Sequence, residues 1–516
     1  MNSLPIQSRR GLPFVSMQRL AICAAAVLLA ACADMNGIQT SAHSNTPADY
    51  ASATSLPDQG GLWPDASWVR SIGGAPLQQL TDEALAGNPG LQITAARVAQ
   101  ARALVEAAGA ASKPQVGAGF SSTRERFSAN SIYPPPFGGA YVTDNELALN
   151  FSYDLDFWGK HGAELRSALS QSKAAEAEHY ASRLMLTTAV AKAWVQLARQ
   201  YAQLDLTNQQ LALRDQLDRL TRQRFAAGLD TQSDNQQSRL QVANLRAEQA
   251  QWNEAIALTR NQLAALLGKG PDRGLSIPQP TLPADAAIAL PDQLPLGLLG
   301  RRADIVAARW QVESAQSDIK VAKTAFYPNV NLSAMIGFSS LGWSNFLTKS
   351  SFTDGVGPAI HLPIFEGGAL RAQLKGRVAA YDGAVATYNK ALDDALHEVS
   401  DQVQSLRAAD IQQSNQQAAS DAAERAMKLA QQRQQVGTTN MLQVVATQIA
   451  YLSQRKLDLD TRARRADLRI GLIKSLGGGF DAAAEGLTPA GNDTTDTKKN
   501  SDTSPLNRPP LANAAS

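Results

Sequence analysis

The chain states most of its content twice. The segment RFAAGL at Arg224–Leu229 returns as RQQVGT at Arg433–Thr438, which places Gly437 209 residues after Gly228. Leu267 and Gly268 return as Leu476 and Gly477 at the same spacing, and DFWG at Asp156–Gly159 returns as IFEG at Ile364–Gly367, 208 residues on. Each copy reads as helix, two strands, very long helix, tight turn, long helix. A unit of this size is no solenoid repeat, whose period is roughly 20–50 residues. It is a duplicated half, and each half combines β-strands with extreme helices.

The helices are too long for a globule. No proline interrupts residues 160–226 or 370–436, and 67 helical residues would span about 100 Å. In the first long helix Tyr180, Thr187, Val190, Trp194, Leu197, Tyr201, Leu204 and Leu211 hold an a/d register, the spacing of a coiled-coil seam. Each long helix turns at a glycine (Gly228, Gly437) into a return helix, near 231–268 and 439–476, of roughly 57 Å. Shorter helices near 90–112 and 302–326 add about 35 Å each, so that stacked on the return helices they nearly match the long ones. A composition of 44% hydrophobic but only 6% aromatic residues fits extended helical packing better than compact mixed domains.

The strands alternate as membrane strands do. From Leu147 to Phe157 the odd positions are Leu, Leu, Phe, Tyr, Leu and Phe, and the even ones are Ala148, Asn150, Ser152, Asp154 and Asp156. That is the length and pattern of a strand with lipid on one side and a polar lumen on the other. Val330 to Phe338 repeats it; Val116 to Phe120 and Val356 to Ile364 are a third and fourth strand. Half-buried soluble strands alternate in the same way, so the pattern alone leaves a soluble sandwich open. Four strands cannot close a membrane barrel, which needs about eight; three copies of the chain would supply twelve.

The N-terminus reads as a secretion signal. Arg9, Arg10 and Arg19 precede an apolar run from Leu20 to Ala31 that is too short to span a bilayer as a helix; Met1 and Met17 are both possible starts. The run ends LAAC at Leu29–Cys32, which resembles a bacterial lipobox, so Cys32 is expected to carry diacylglycerol and an N-acyl chain. Ala33 in place of an acid then implies sorting to the outer membrane. Of two cysteines, Cys23 leaves with the signal, and none remains for a disulfide. The net charge of +2 belongs to the precursor; without residues 1–31 it is −1, which gives no case for nucleic acid. No later stretch approaches about 18 continuous apolar residues, so whatever crosses the membrane must be a closed barrel.

Four motifs point to one family. LPLGLLGRRADI at Leu294–Ile305, FYPNVNL at Phe326–Leu332 and LPIFEGG at Leu362–Gly368 resemble signatures of outer-membrane efflux factors. YDLDFWGK at Tyr153–Lys160 resembles the NodT-type lipoprotein branch of that TolC-like family. The resemblance covers about residues 60–480. It implies a mainly α protein with membrane β: a trimeric twelve-stranded barrel, four strands from each chain, continuous with a long periplasmic α-barrel built from two repeats. Its partners would be a periplasmic adaptor protein and an inner-membrane resistance-nodulation-division pump. The motifs also have structural uses: Pro328 and Pro363 flank strands, Gly367 and Gly368 permit a sharp strand-to-helix turn, and Trp158 suits an interfacial aromatic girdle.

In the family, side chains just past the two glycine turns close the periplasmic end. On that alignment Leu442 falls at a constricting leucine ring, and Gln443 and Ala446 fall where relatives often carry aspartates. Asp234 matches a lock aspartate whose usual tyrosine and arginine partners are Gln434 and Thr439 here. Closure is therefore expected to be apolar and steric, with hydrogen bonds from Asp234, Gln434 and Gln443. Leu442 is equally readable as a seam leucine, and Asp234 as a first-turn acid favoured by the helix dipole. The turn residues Ala227, Gly228, Leu229, Val436, Gly437 and Thr438 form the expected adaptor-docking tip, although any helical hairpin wants glycine there.

An enzyme is not expected. Five histidines are scattered, His397 has acids close by (Asp393, Asp394, Glu398) as a charged helix face does, and no Cys/His cluster, phosphate loop or nucleophile motif is present; no cofactor or metal is expected. The organisation expected is a signal peptide (1–31), a flexible lipid-anchored tether (32–60), the two repeats (61–285 and 286–480) and a polar, disordered tail (481–516). The function expected is a passive gated exit duct for small molecules. A duct for ABC-driven type I protein secretion and a non-conducting envelope tether remain as alternatives.

Overall fold

The computed structural model describes residues 35–489 apart from 53, 131 and 284–288. Helices α1 (Trp68–Gly87) and α2 (Pro89–Ala111) lead into strands β1 (Gln115–Arg126) and β2 (Tyr141–Leu155), then α3 (Lys160–Ala226), α4 (Gln232–Leu266) and the short α5 (Asp272–Leu275). The second half runs α6 (Leu294–Arg301), α7 (Ala303–Thr324), β3 (Asn329–Leu341), β4 (Phe352–His361), α8 (Ala369–Gln435) and α9 (Met441–Ser475). The duplication is thus visible element by element, with 67 residues in both α3 and α8 and 35 in both α4 and α9. Both long helices start behind a left-handed glycine, Gly159 (φ 74°) and Gly368 (φ 88°), a conformation that costs a residue with a Cβ. Asp156 caps the first of them, accepting from the Lys160 and Gly162 amides at 2.5 and 3.2 Å.

Cores sit half way along the long helices. Val190, Trp194 and Leu197 of the expected seam are buried under Trp68, Leu77 and Leu80 of α1; Thr187, Tyr201, Leu204 and Leu211 are half-buried. In the second half Leu294, Leu298, Ile305 and Val312 pack on Tyr388, Leu392, Leu396 and Val399. Helix α1 had no counterpart in the sequence reading: it is kinked at Gly74 (φ 64°) and contains Pro76, two residues that hide a helical period.

Three sequence expectations need correction. Residues 35–60 of the expected tether do not hang free. Ile38 is buried against Phe326, Leu374 and Val378, the Asn45 amide donates to Asn389 Oδ1 (2.8 Å), and Leu56 joins the second core, so the segment runs along α8. The disordered tail does not begin at 481: Ala482 and Leu487 are buried beside Ala177 and Val306, and Trp310 donates to the Leu487 carbonyl (2.8 Å). The rest of the expected tail, like residues 1–34, lies outside the described residues. The strand read to Phe157 ends at Leu155, where Asp156 turns to cap α3, and the strand read as 356–364 spans Phe352–His361.

One ionic cluster ties α7, α8 and α9 together. Arg302, with 10% of its side chain exposed, donates to Asp304 Oδ1 and Oδ2 (3.1 and 2.6 Å), to Glu398 Oε2 (2.8 Å) and to the Ser475 carbonyl (3.2 Å). Lys474 adds a bond to Glu398 Oε1 (2.8 Å). Burial works against the Glu398 carboxylate, but hydrogen bonds from Lys474 and Arg302 outweigh it and hold its pKa below the ordinary range; Asp304 is lowered against burial by Arg302. This is the physical role of the LPLGLLGRRADI motif.

Candidate channel wall and periplasmic hairpins

The four strands form one antiparallel sheet in the order β1-β2-β3-β4. Its register gathers the apolar residues on one face. Leu147, Leu149, Phe151, Tyr153 and Leu155 stand opposite Phe338, Ile336, Ala334, Leu332 and Val330. Phe120, Ala118 and Val116 flank them on β1, and Phe352, Val356 and Ile360 on β4. Among the described residues nothing covers this face: Leu149 is 50% and Val356 78% exposed, far more apolar surface than water tolerates in one patch. The opposite face carries Asn150, Ser152, Asp154, Asn331 and Ser333 among small residues such as Gly117 and Gly357. Apolar outside and polar inside is the arrangement of a barrel wall.

Aromatic residues bound the apolar band at both ends. At the loop end Trp343 and Phe346 pack on Phe120, with ring centroids at 6.1 and 6.0 Å. At the helix end Trp158 stacks on Tyr327 at 4.6 Å and its indole donates to the Pro328 carbonyl at 2.7 Å. From Leu147 to Leu155 the band is about 27 Å along the strand and somewhat less in height once tilted, against an apolar band of about 25 Å in membrane barrels. Under this belt Asp154 faces His161 Nε2 at 3.3 Å, and Glu164 faces its Nδ1 at 3.1 Å.

At the far end both hairpins use the same local chemistry. Gly228 (φ 74°) and Gly437 (φ 76°) adopt the left-handed conformation, and the amides of Leu229 and Thr438 bond back to the carbonyls of Arg224 and Arg433, both at 2.8 Å. This closes each helix with a glycine C-cap. Thr231 and Asn440 then cap the return helices. Ala227, Gly228, Leu229, Val436, Gly437 and Thr438 are all exposed, so each turn presents its three residues uncovered among the described residues.

The structure gives each expected gate residue a place. Asp234 is exposed and forms a capping box with Thr231, accepting from its amide (2.9 Å) and hydroxyl (2.6 Å); the Thr231 bonds lower its pKa. Gln434 and Gln443 are exposed and Thr439 is half-buried; the Gln443 amide is engaged by Asn440 Oδ1 at 3.0 Å. Leu442 is half-buried beside buried Val444 and Val445, and Ala446 is exposed.

Sequence reading missed a clamp in the first hairpin: Arg224 grips Asp230 with three bonds of 2.8–3.1 Å, and that carboxylate raises the Arg224 pKa. Its signal was a base and an acid on either side of one glycine turn. The repeat keeps the base as Arg433 but replaces the acid by Thr439, so the two hairpins are chemically unequal. Among the described residues no group of His, Cys, Asp and Glu side chains is arranged to hold a metal, and no helix is long and apolar enough to cross a membrane.

A two-faced membrane sheet set on helices of 67 residues defines an outer-membrane channel subunit with a helical extension. The chain matches the outer membrane efflux protein family over residues 80–269 and 294–478, and it belongs to that family. It is 37% identical over 360 residues to the fusaric acid resistance protein FusA of Burkholderia cepacia, covering 69% of this chain and 68% of that one. It is 30% identical over 431 residues to the multidrug resistance outer membrane protein MdtP of Escherichia coli K12, covering 81% and 88%. Among solved structures it is similar to the outer membrane protein VceC of Vibrio cholerae, at 37% identity and a TM-score of 0.73, covering 81% of this chain and all of that one. The family places the chain in the Gram-negative outer membrane as an efflux channel.

Proposed function

We propose that the chain is the passive, gated exit duct of a tripartite pump that expels small toxic molecules. The observation that carries this is the exposed apolar face of a four-stranded sheet whose strands β2 and β4 lead directly into the two long helices. Three copies close a twelve-stranded barrel, because four strands leave β1 and β4 with open edges that lipid does not tolerate. The polar sheet face then lines the lumen, and the helices continue the tube through the periplasm. A periplasmic adaptor docks on the exposed tip, and an inner-membrane resistance-nodulation-division pump supplies the energy. The names of FusA and MdtP support resistance to small molecules as the outcome.

The test is photocrosslinking in cells from Leu229 and Thr438. Capture of a resistance-nodulation-division adaptor is the expected result; capture of an ABC-exporter adaptor would move the reading to protein secretion. Capture of neighbouring copies alone, in cells expressing the pump, would sink the docking assignment.

The same reading includes a lipid on Cys32. Cys32 lies outside the described residues, but Met35 packs against the cluster of Ile38, Ala322, Phe326, Leu374 and Val378, just before β3 and at the start of α8. Three residues of chain reach at most about 11 Å, which keeps Cys32 within range of the inner leaflet. Labelled palmitate should enter the wild type and be lost completely in Cys32→Ser. Equal labelling of both would overturn the anchor.

A further inference from the structure

The two open edges of the sheet carry opposite charges on the same face. Asp354 of β4 stands opposite Ile336, among the apolar residues. On β1 the apolar face continues upward from Phe120 through Ser122 to Arg124 and Arg126. Arg126 is engaged by the Gly139 carbonyl at 3.1 Å. Arg124 and Asp354 are both exposed, and neither has an ion-pair partner in the chain among the described residues. A lone carboxylate on the outer face of a barrel is costly unless it is neutralised.

Barrel geometry decides which residues the two edges bring together. Twelve strands about 4.8 Å apart, tilted about 35–45°, accumulate a stagger of roughly 12–18 residues around the ring. Threefold symmetry divides this equally, and the two-residue period of side chains allows only even shifts, so each seam slips by about four or six residues. Within the sheet Phe352 is level with Phe120, through Leu147 and Phe338. Only a slip towards the C-terminal end of β1 keeps the strands overlapped, because the opposite slip carries β4 past the start of β1. A slip of four sets Asp354 against Ser122 and leaves Arg124 against Phe352. A slip of six sets Asp354 directly against Arg124, Val356 against Ser122, Pro358 against Phe120 and Ile360 against Ala118.

We propose that Arg124 of one protomer pairs with Asp354 of the next, and that this pair fixes the register of each seam at a slip of six. It rests on the trimeric reading above and adds the contact that selects one closed register over the other. Directly opposed residues lie about 4.5–5.5 Å apart between Cβ atoms, close enough for an ion pair, and opposite charges there favour the register that aligns them.

The test pairs cysteines across the seam. With Cys32 lipidated and Cys23 removed with the signal, engineered thiols are the only free ones in the mature protein. Val356→Cys combined with Ser122→Cys, which leaves Arg124 and Asp354 in place, should give covalent trimers under mild oxidation at several times the yield of Val356→Cys combined with Phe120→Cys, the pair that a slip of four would align. Preferential crosslinking through Phe120, equal yields, or no crosslink from either pair while the wild type runs as a trimer would each overturn the register. A wild type whose mass in detergent is not that of a trimer would instead remove the reading beneath it. Charge exchange gives a second readout: Arg124→Asp and Asp354→Arg should each lower the temperature at which the trimer dissociates, and the double exchange should restore it. No restoration overturns the pair.

Discussion

Arg302→Met should cost about 3 kcal/mol of stability, the lower end of the cost of removing one partner from a buried ionic group. The lower end applies because Asp304 keeps 47% of its side chain exposed. The loss arises from what the substitution leaves behind: the Ser475 carbonyl and one Glu398 oxygen lose their donor in a place that water reaches poorly. Lys474→Met is the comparison. Its side chain is 39% exposed, so its removal should cost under about 1 kcal/mol. The pH dependence separates this cluster from simple packing. Asp304 and Glu398 have pKa values held below 3.8 and 4.5 in the folded chain. Their contribution is therefore fully present above those values and is lost as pH falls through the folded ones. The melting temperatures of wild type and Arg302→Met should differ by a constant amount above about pH 5 and draw together progressively as the pH falls through the lowered folded values. A gap independent of pH would show that Arg302 acts through packing alone.

The fold was legible because its largest constraints are periodic. A 67-residue run without proline ending at glycine has few other solutions, and the bounds of α3 follow almost directly from Gly159 and Gly228. The strands were legible as alternation but not at their ends, because Asp156 continues the period while bonding to the start of α3. What the sequence hid is packing between segments far apart in the chain. Ile38 and Leu56 are single apolar residues in a polar stretch, and only their partners on α7, α8 and β3's approach show that the stretch is held. The gate residues are expected from resemblance to the family more than from physics. Asp234 shows the limit of that: its carboxylate is engaged by Thr231 in its own turn, while the ion pair of that hairpin is Arg224 with Asp230, a base and an acid across the glycine turn that the resemblance did not point to.

Leu442→Ala should raise the resting conductance of the reconstituted channel several-fold in planar bilayers. In the proposed trimer three copies of Leu442 would form a narrow apolar ring, which resists ion flow because water leaves it, and shortening them would widen and wet it. The position allows this role: Val444 and Val445 are 4% and 1% exposed and carry the packing at the start of α9, whereas Leu442 is only half-buried. The opposing account makes Leu442 a seam residue. The substitution would then lower the melting temperature, with a cost of roughly 2 kcal/mol or more for a buried leucine, and leave the conductance unchanged. Gln443→Ala, one residue on and exposed, serves as the control, since its backbone amide keeps the Asn440 cap whatever its side chain. A rise in conductance for Leu442→Ala but not for Gln443→Ala assigns closure to apolar constriction. The reverse pattern would assign it to polar contacts between the tips, with the unequal hairpins, one clamped by Arg224 and Asp230 and one carrying Thr439 in place of the acid, as the place to look for them.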